Sequence, residues 1–310
     1  MTDIRIVTEG LSFPEGPIAL PDGDVLLVEI GAGQLTRVHP DGSKTVVARP
    51  GGGPNGAAMG PDGKCYVCNN GGFELLVRNG KTYPLGPGPD WSGGRIERID
   101  IETGEVEVLY THCNGRALRA PNDLVFDAQG GFWFTDHGKA WEDRRDRDIT
   151  GIYYARADGS HIVEAIFPSE APNGIGLSPA EDEIYVAETH TGRVWAYKLS
   201  GPGRIDSSKE TIRGHQGRLV TGLPGLQMLD SLAIDGDGNI CVATITNGGI
   251  TVISPDGARV EHVPMPDSVT TNICFGGPDL RTAYITLSST GRLAAMEWPR
   301  PGLALNFLNK

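Results

Sequence analysis

No run in the 310-residue chain approaches the roughly 20 consecutive apolar residues that cross a bilayer. The opening Met-Thr-Asp-Ile-Arg-Ile-Val has no long apolar core of the kind found in a secretion signal. A cytoplasmic chain without a membrane partner is therefore expected. Positive charge is scarce: 27 Lys and Arg face 39 Asp and Glu, for a net charge of −12, a balance that repels nucleic acid and attracts cations. Cysteine is sparse and odd in number. Cys65, Cys68, Cys113, Cys241 and Cys274 are scattered and read as reduced thiols rather than a disulfide framework. Cys65-Tyr-Val-Cys68 has C-x-x-C spacing but lies in a β-type run, where its two side chains point to opposite faces.

What is abundant is turn chemistry. There are 44 glycines and 22 prolines with no collagen-like period, poor material for helix interiors, beside a 39% apolar share that suffices for a core. One phrase recurs: a small polar or acidic residue, an apolar stretch, a turn, then an apolar strand. It runs Glu15-Gly-Pro-Ile-Ala-Leu-Pro-Asp-Gly, then Asn55-Gly-Ala-Ala-Met-Gly-Pro-Asp-Gly, and restarts at Asn122, Asn173, Asp230 and Asn272. Each copy holds the parts of a four-stranded antiparallel unit, with second strands at Val25–Glu29 and Ile240–Thr244 and third strands near 34–39 and 249–254. A single such sheet leaves both faces bare, so the copies must stack radially. The expectation is one all-β domain over 1–310: a six-bladed β-propeller of four-stranded antiparallel blades around a central channel, closed by an N-terminal strand at 4–7 beside 293–296.

Each leading residue opens an innermost strand, so Glu15, Asn55, Asn122, Asn173, Asp230 and Asn272 converge on one channel mouth. Two carboxylates and four amides make an oxygen-rich, negative ring. A hard divalent cation takes such ligands, calcium above all. With no thiolate or imidazole in the ring, a zinc-type site is disfavoured.

Ser12-Phe-Pro-Glu-Gly-Pro17, Ala120-Pro-Asn-Asp-Leu124, Ala171-Pro-Asn-Gly174 and Leu229-Asp-Ser-Leu-Ala-Ile-Asp235 resemble, in order, the signatures of the senescence-marker-protein/gluconolactonase family of regucalcin-like propeller lactonases. The resemblance spans about residues 9 to 296. It implies a metal-dependent hydrolase that opens a sugar or other small lactone, with Glu15, Asn122, Asn173 and Asp230 as ligands. Asp230 is also implied as the base. Calcium is the expected cation, with Zn, Mg, Mn and Fe as substitutes. Alternatives are hydrolysis of a phosphotriester or another ester, or a propeller that binds calcium or a ligand without turnover.

Asn55 and Asn272 remain as polar channel groups for substrate. Arg119 lies near the position of an arginine with which vertebrate members hold a sugar lactone. His137, after Phe134-Thr-Asp136, is placed to protonate a leaving alkoxide. Glu188-Thr-His190 and Asn69-Asn-Gly-Gly-Phe73 occupy matching places in their own repeats. The Pro- and Gly-rich insertion 81–94 cannot be a central strand and offers Trp91 to a lid over the mouth. The charged stretch 141–148 reads as solvated surface.

Overall fold

The computed structural model describes residues 3–141, 145–209 and 216–310; part of the charged 141–148 stretch, at 142–144, lies outside them. It is an all-β, six-bladed propeller, with no α-helix and no helix long and apolar enough to cross a membrane among the described residues. Blade one comprises Pro14–Ala19, Val25–Glu29, Gln34–Val38 and Lys44–Ala48, paired in that order from the channel outward. Blade two opens with Pro54–Met59, blade three with Pro121–Phe126, blade four with Pro172–Leu177, blade five with Met228–Ile234 and blade six with Thr270–Gly276. The outermost strand of blade six is Arg5–Glu9, antiparallel to Arg292–Glu297. Both ends of the chain thus meet in one sheet.

Neighbouring blades cover both faces of the inner strands, which are buried on both sides instead of alternating, whereas outermost strands such as Lys44–Ala48 and Val260–Pro264 are largely exposed. Every residue of Val25–Glu29 is buried. The two thiols of the C-x-x-C spacing show the same two-sidedness. Cys65 packs with Ile18, Leu26 and Ile99 against blade one, whereas Cys68 packs with Phe126, Phe132 and Phe134 against blade three. All five cysteines are free and buried.

Two local devices place the leading residues. The inner strands are neighbours around a closed ring, and each breaks register with its second strand at or beside the leading residue: across it in blades two to five, as between Pro54 and Ala57 and between Leu229 and Leu232, just after Glu15 in blade one and just before Asn272 in blade six. Such a bulge re-aims one side chain out of the ladder and into the channel. The following glycine then lets adjacent inner strands touch. A Cβ on Gly16 would lie 2.5 Å from the Asn55 carbonyl oxygen, one on Gly56 2.5 Å from that of Asn122, and one on Gly174 2.7 Å from that of Asp230.

The second device is a buried acceptor closing the second strand, which grips the backbone entering the inner strand. Glu29 Oε2 accepts from Ser12 N (2.6 Å), Asn69 Oδ1 from Gly53 N (2.9 Å) and Glu188 Oε1 from Glu170 N (2.9 Å). The Asp136 carboxylate accepts from Arg119 N and Ala120 N, both at 2.7 Å. Each grip falls two or three residues before a ring residue.

At the far mouth the C-terminal segment crosses the channel. Leu303 N donates to Ile234 O (2.9 Å) and Asn306 Nδ2 to Phe126 O (3.1 Å), while Leu308 packs on the core between blades one and two. Beneath it is a cavity of about 220 Å³, lined by apolar inner-strand residues with Asp123 and Asn272.

Close packing at the ring predicts that Gly174→Ala lowers unfolding free energy by about 1–3 kcal/mol, since nothing but backbone is there to yield. Gly222→Ala, whose new Cβ would meet only the Arg193 side chain at 3.8 Å, should stay within about 0.5 kcal/mol of the parent. Urea midpoints of the two variants check the contrast.

Candidate metal centre and substrate cleft

The near mouth opens into a cleft of about 360 Å³ whose lining includes Glu15, Asn55, Asn122, Asn173 and Asp230. The repeat thus brings five of its six leading residues to one surface. Asn272, the sixth, lines the opposite cavity and acts from behind: its Nδ2 donates to Glu15 Oε2 (2.9 Å), and its Oδ1 accepts from Ile273 N (2.8 Å). It orients Glu15 rather than facing a substrate in the cleft. Asp123, next to Asn122, also lines the opposite cavity and accepts from Leu124 N.

The cleft floor is electrostatically frustrated. Burial raises the Glu15 carboxyl from 4.5 to about 7, against hydrogen bonds from Asn272 and Gly16 that favour its charge. Burial and the charges of Glu15 and Asp123 raise Asp230 well above the carboxylate range. Asp123 is itself pushed to about 7 by burial and then by Glu15. Two ring amides add to the deficit. Asn122 Oδ1 and Asn173 Oδ1 are buried without any partner, and Asn173 is held in that orientation by its Nδ2 bond to Thr189 Oγ1 (3.1 Å). Buried carbonyl oxygens left unpaired are rare and costly.

Carboxylates that repel and amide oxygens that lack donors share one remedy, a cation with oxygen ligands. The residues present therefore fit a divalent ion held by Glu15, Asn122, Asn173 and Asp230. No group of three or more His, Cys, Asp and Glu side chains suited to a metal occurs among the described residues, so any such site must draw on the amides.

Above the floor, the cleft wall includes the residue just after the second strand in blades one to four, Ile30, Asn70, His137 and Thr189, and the last residue of that strand in blade five, Ile245. The gripping residues Asn69, Asp136 and Glu188 face backbone instead. His137 and His190 meet edge to face, ring centroids 5.6 Å apart. Burial first, then the charges near it, pushes His137 from 6.5 to about 4. The ring is neutral at pH 7, and its Nδ1 lies 3.1 Å from Gly138 O, which assigns the proton there and leaves Nε2 as an acceptor. In that state it has no imidazolium proton to give a leaving alkoxide.

Arg119 is absent from the cleft lining: its Nε binds Asp148 Oδ2 (2.9 Å), and its guanidinium lies 4.8 Å from the Trp91 ring centroid and 5.8 Å from that of Trp141. Trp91 is a prop for Arg119 rather than a lid. The part of the insertion that reaches the cleft is a separate hairpin, Glu74–Arg78 paired with Lys81–Gly86, which contributes Tyr83, Pro84 and Leu85. Together with Phe13, Ile30, Phe73, Ile245 and Val269, Tyr83 forms one continuous apolar wall.

Sequence reasoning missed Lys139. It singled out the segments 69–73 and 188–190, which match the place of His137, and the residues of those segments just after the second strand, Asn70 and Thr189, are on the lining. Lys139 lies in a blade-three loop with no counterpart in the repeat.

The chain matches the model of the SMP-30/Gluconolactonase/LRE-like region over residues 13–289. A gluconolactonase of Zymomonas mobilis is 26% identical over 311 residues, covering 93% of this chain and 79% of that one. A diisopropyl-fluorophosphatase of Loligo vulgaris is 28% identical over 321 residues, covering 96% and 92%. Among solved structures, a calcium-binding regucalcin of Agrobacterium tumefaciens superposes with a TM-score of 0.72 at 20% identity, covering 98% of each chain, and speaks to the fold alone. With four ordered signatures and a family match from blade one to blade six, the chain belongs to the SMP-30/gluconolactonase/LRE-like family.

Proposed function

We propose that the protein is a divalent-metal-dependent lactonase that opens a small lactone to its hydroxy acid at the near mouth of the channel. One observation carries the reading: two desolvated carboxylates and two unpartnered amide oxygens on one cleft floor. The gluconolactonase relative supports the substrate class. Glu15, Asn122, Asn173 and Asp230 hold the ion, calcium first by their oxygen chemistry, with Mg, Mn, Zn or Fe as replacements. A divalent cation bound there supplies Lewis-acid polarisation of the lactone carbonyl. Asn272 keeps Glu15 aimed at the floor, and Thr189 does the same for Asn173. His137 Nε2 orients the attacking water, and a carboxylate oxygen of Asp230 takes its proton. Asn55, on the same lining, is a hydrogen-bonding group for substrate.

A second reading has a specific observation behind it. The apolar wall from Phe13 to Val269 offers little to sugar hydroxyls, and one relative is a diisopropyl-fluorophosphatase, so a phosphotriester or apolar ester is the competing substrate. A panel of lactones and organophosphates followed by proton release separates the two.

Chelation should abolish lactone turnover, and added calcium should restore it. Asp230→Asn keeps one ligand oxygen but cannot take a proton. It should lower kcat by about 10²–10⁴-fold while calcium still raises its melting temperature. Full turnover by the metal-free protein would end this reading.

The pH dependence has a definite sign. Glu15 rises from 4.5 to about 7 in the metal-free fold, so its contribution to stability is complete below the ordinary value and is lost as pH climbs through about 7. A cation has to displace that proton at pH 5 but not at pH 8. Calcium should therefore raise the melting temperature more at pH 8 than at pH 5, as read by calorimetry at fixed ionic strength; a larger rise at pH 5 would contradict the ligand assignment.

A further inference from the structure

We propose that Lys139 and Asn70 form a subsite for a carboxylate carried by the substrate, so that the cleft selects an anionic lactone over its neutral counterpart. The choice of a lactone rests on the reading above, whereas the anion subsite rests on its own geometry.

Lys139 is 3% exposed and lines the cleft, an unusual place for an ammonium group. It does not snorkel to solvent. Its Nζ donates to Asn70 Oδ1 (3.2 Å) and Gly72 O (3.0 Å) and lies 3.5 Å from the Phe73 ring centroid. Among the described residues, the two acidic groups that act on it are committed elsewhere. Asp136 is taken up by the backbone N–H groups of Arg119, Ala120 and Gly138, and Asp148 by Arg119 Nε and the Lys139 backbone N–H. Arg147, the other cation on the lining, is paired with Glu170. Burial pulls the Lys139 ammonium down to about 7, and among the described residues its hydrogen bonds in the cleft wall go only to neutral oxygens, so a negative ligand beside it would hold its proton in place.

Asn70 supplies the second, independent observation. It is 1% exposed, lines the same cleft, and its Nδ2 is buried without a partner. The amide cannot be turned over to remove this orphan. Its other end already accepts from both Lys139 Nζ and Gly72 N (2.9 Å), and two donors require an oxygen there. The backbone is pinned as well, by Asn70 N to Gly53 O (2.8 Å) and by Trp91 Nε1 to Asn70 O (3.0 Å). Gly71 and Gly72, at φ of 83° and 112°, make the turn that brings the amide to the ammonium. An orphan N–H beside a desolvated ammonium asks for an acceptor with two oxygens and a negative charge, which a carboxylate provides.

The test compares kcat/KM for D-glucaro-1,4-lactone and D-glucono-1,4-lactone, which share a ring and differ by a carboxylate, with the calcium-loaded protein. The parent should favour the carboxylate lactone by about tenfold or more, the usual worth of one charge-assisted hydrogen bond. Lys139→Met should cut that ratio at least about fivefold, with partial rescue in Lys139→Arg. Asn70→Asp keeps the acceptor for Lys139 but turns the orphan donor into an anionic acceptor, and should cut the ratio as well. Calorimetry with D-glucarate and D-gluconate reads the subsite without turnover. The parent should bind glucarate more tightly, and Lys139→Met should lose the difference. Equal kcat/KM for the two lactones, or a ratio unmoved by these variants, overturns the subsite and leaves the lactonase reading standing. No hydrolysis of any lactone, with the glucarate preference present and lost in Lys139→Met, overturns the lactonase reading and keeps the subsite. Equal binding of glucarate and gluconate overturns the subsite whatever the turnover.

Discussion

The close approach of six inner strands around one axis is the constraint from which the rest follows. Where those strands touch, no solvent remains between them, and Glu15 and Asp230 are delivered into that dry space with Asp123 behind. Charge of one sign in low dielectric is costly, and the local hydrogen bonds from Asn272 and Gly16 offset only part of the cost for Glu15. The unpartnered oxygens of Asn122 and Asn173 add to it. On the proposed reading, stability and function are linked: a cation held by these oxygens would supply the chemistry and also relieve the fold.

Positioning is divided between backbone and side chains in a regular way. Bulges turn the leading residues inward, and small residues after Glu15, Asn55 and Asn173 let neighbouring strands close up. The acceptors Glu29, Asn69, Asp136 and Glu188 tie each entering segment to its own second strand. These acceptors resemble site residues in composition, being buried and acidic or amide, yet they hold scaffold N–H groups. The residue one step further along the chain is the one that faces the cleft.

The cleft itself is two-sided. An apolar wall from blades one, two, five and six adjoins a polar one with His137 and His190 from blades three and four, and the two meet where the Lys139 ammonium lies against Phe73. Such a division favours ligands that are themselves two-sided, and it comes from the loops rather than the propeller frame. The frame provides the floor and leaves the walls free to set what enters.

Much of this was legible in the chain. The six-fold phrase identifies the blades, and its first position identifies the ring, because a repeated unit that cannot cover its own faces must place equivalent residues equivalently. Period-two alternation likewise sends Cys65 and Cys68 to different cores. Other features were decided only by tertiary structure. Asn272 sits in the ring phrase yet acts behind Glu15: it stays in the ladder opposite Thr286, after a register break between Thr270 and Asn272, whereas the breaks of blades two to five span their leading residues. Arg119 is drawn away by Asp148 and two tryptophans that are distant in sequence, and Trp91 is drawn to it in turn. Lys139 and Asn70 meet across 69 positions, and Lys139 lies in a loop that the repeat does not align. Local pattern determines which way a strand residue faces, because the backbone period is fixed. What a loop side chain touches depends on where other blades put their loops, and that is settled only when the ring closes.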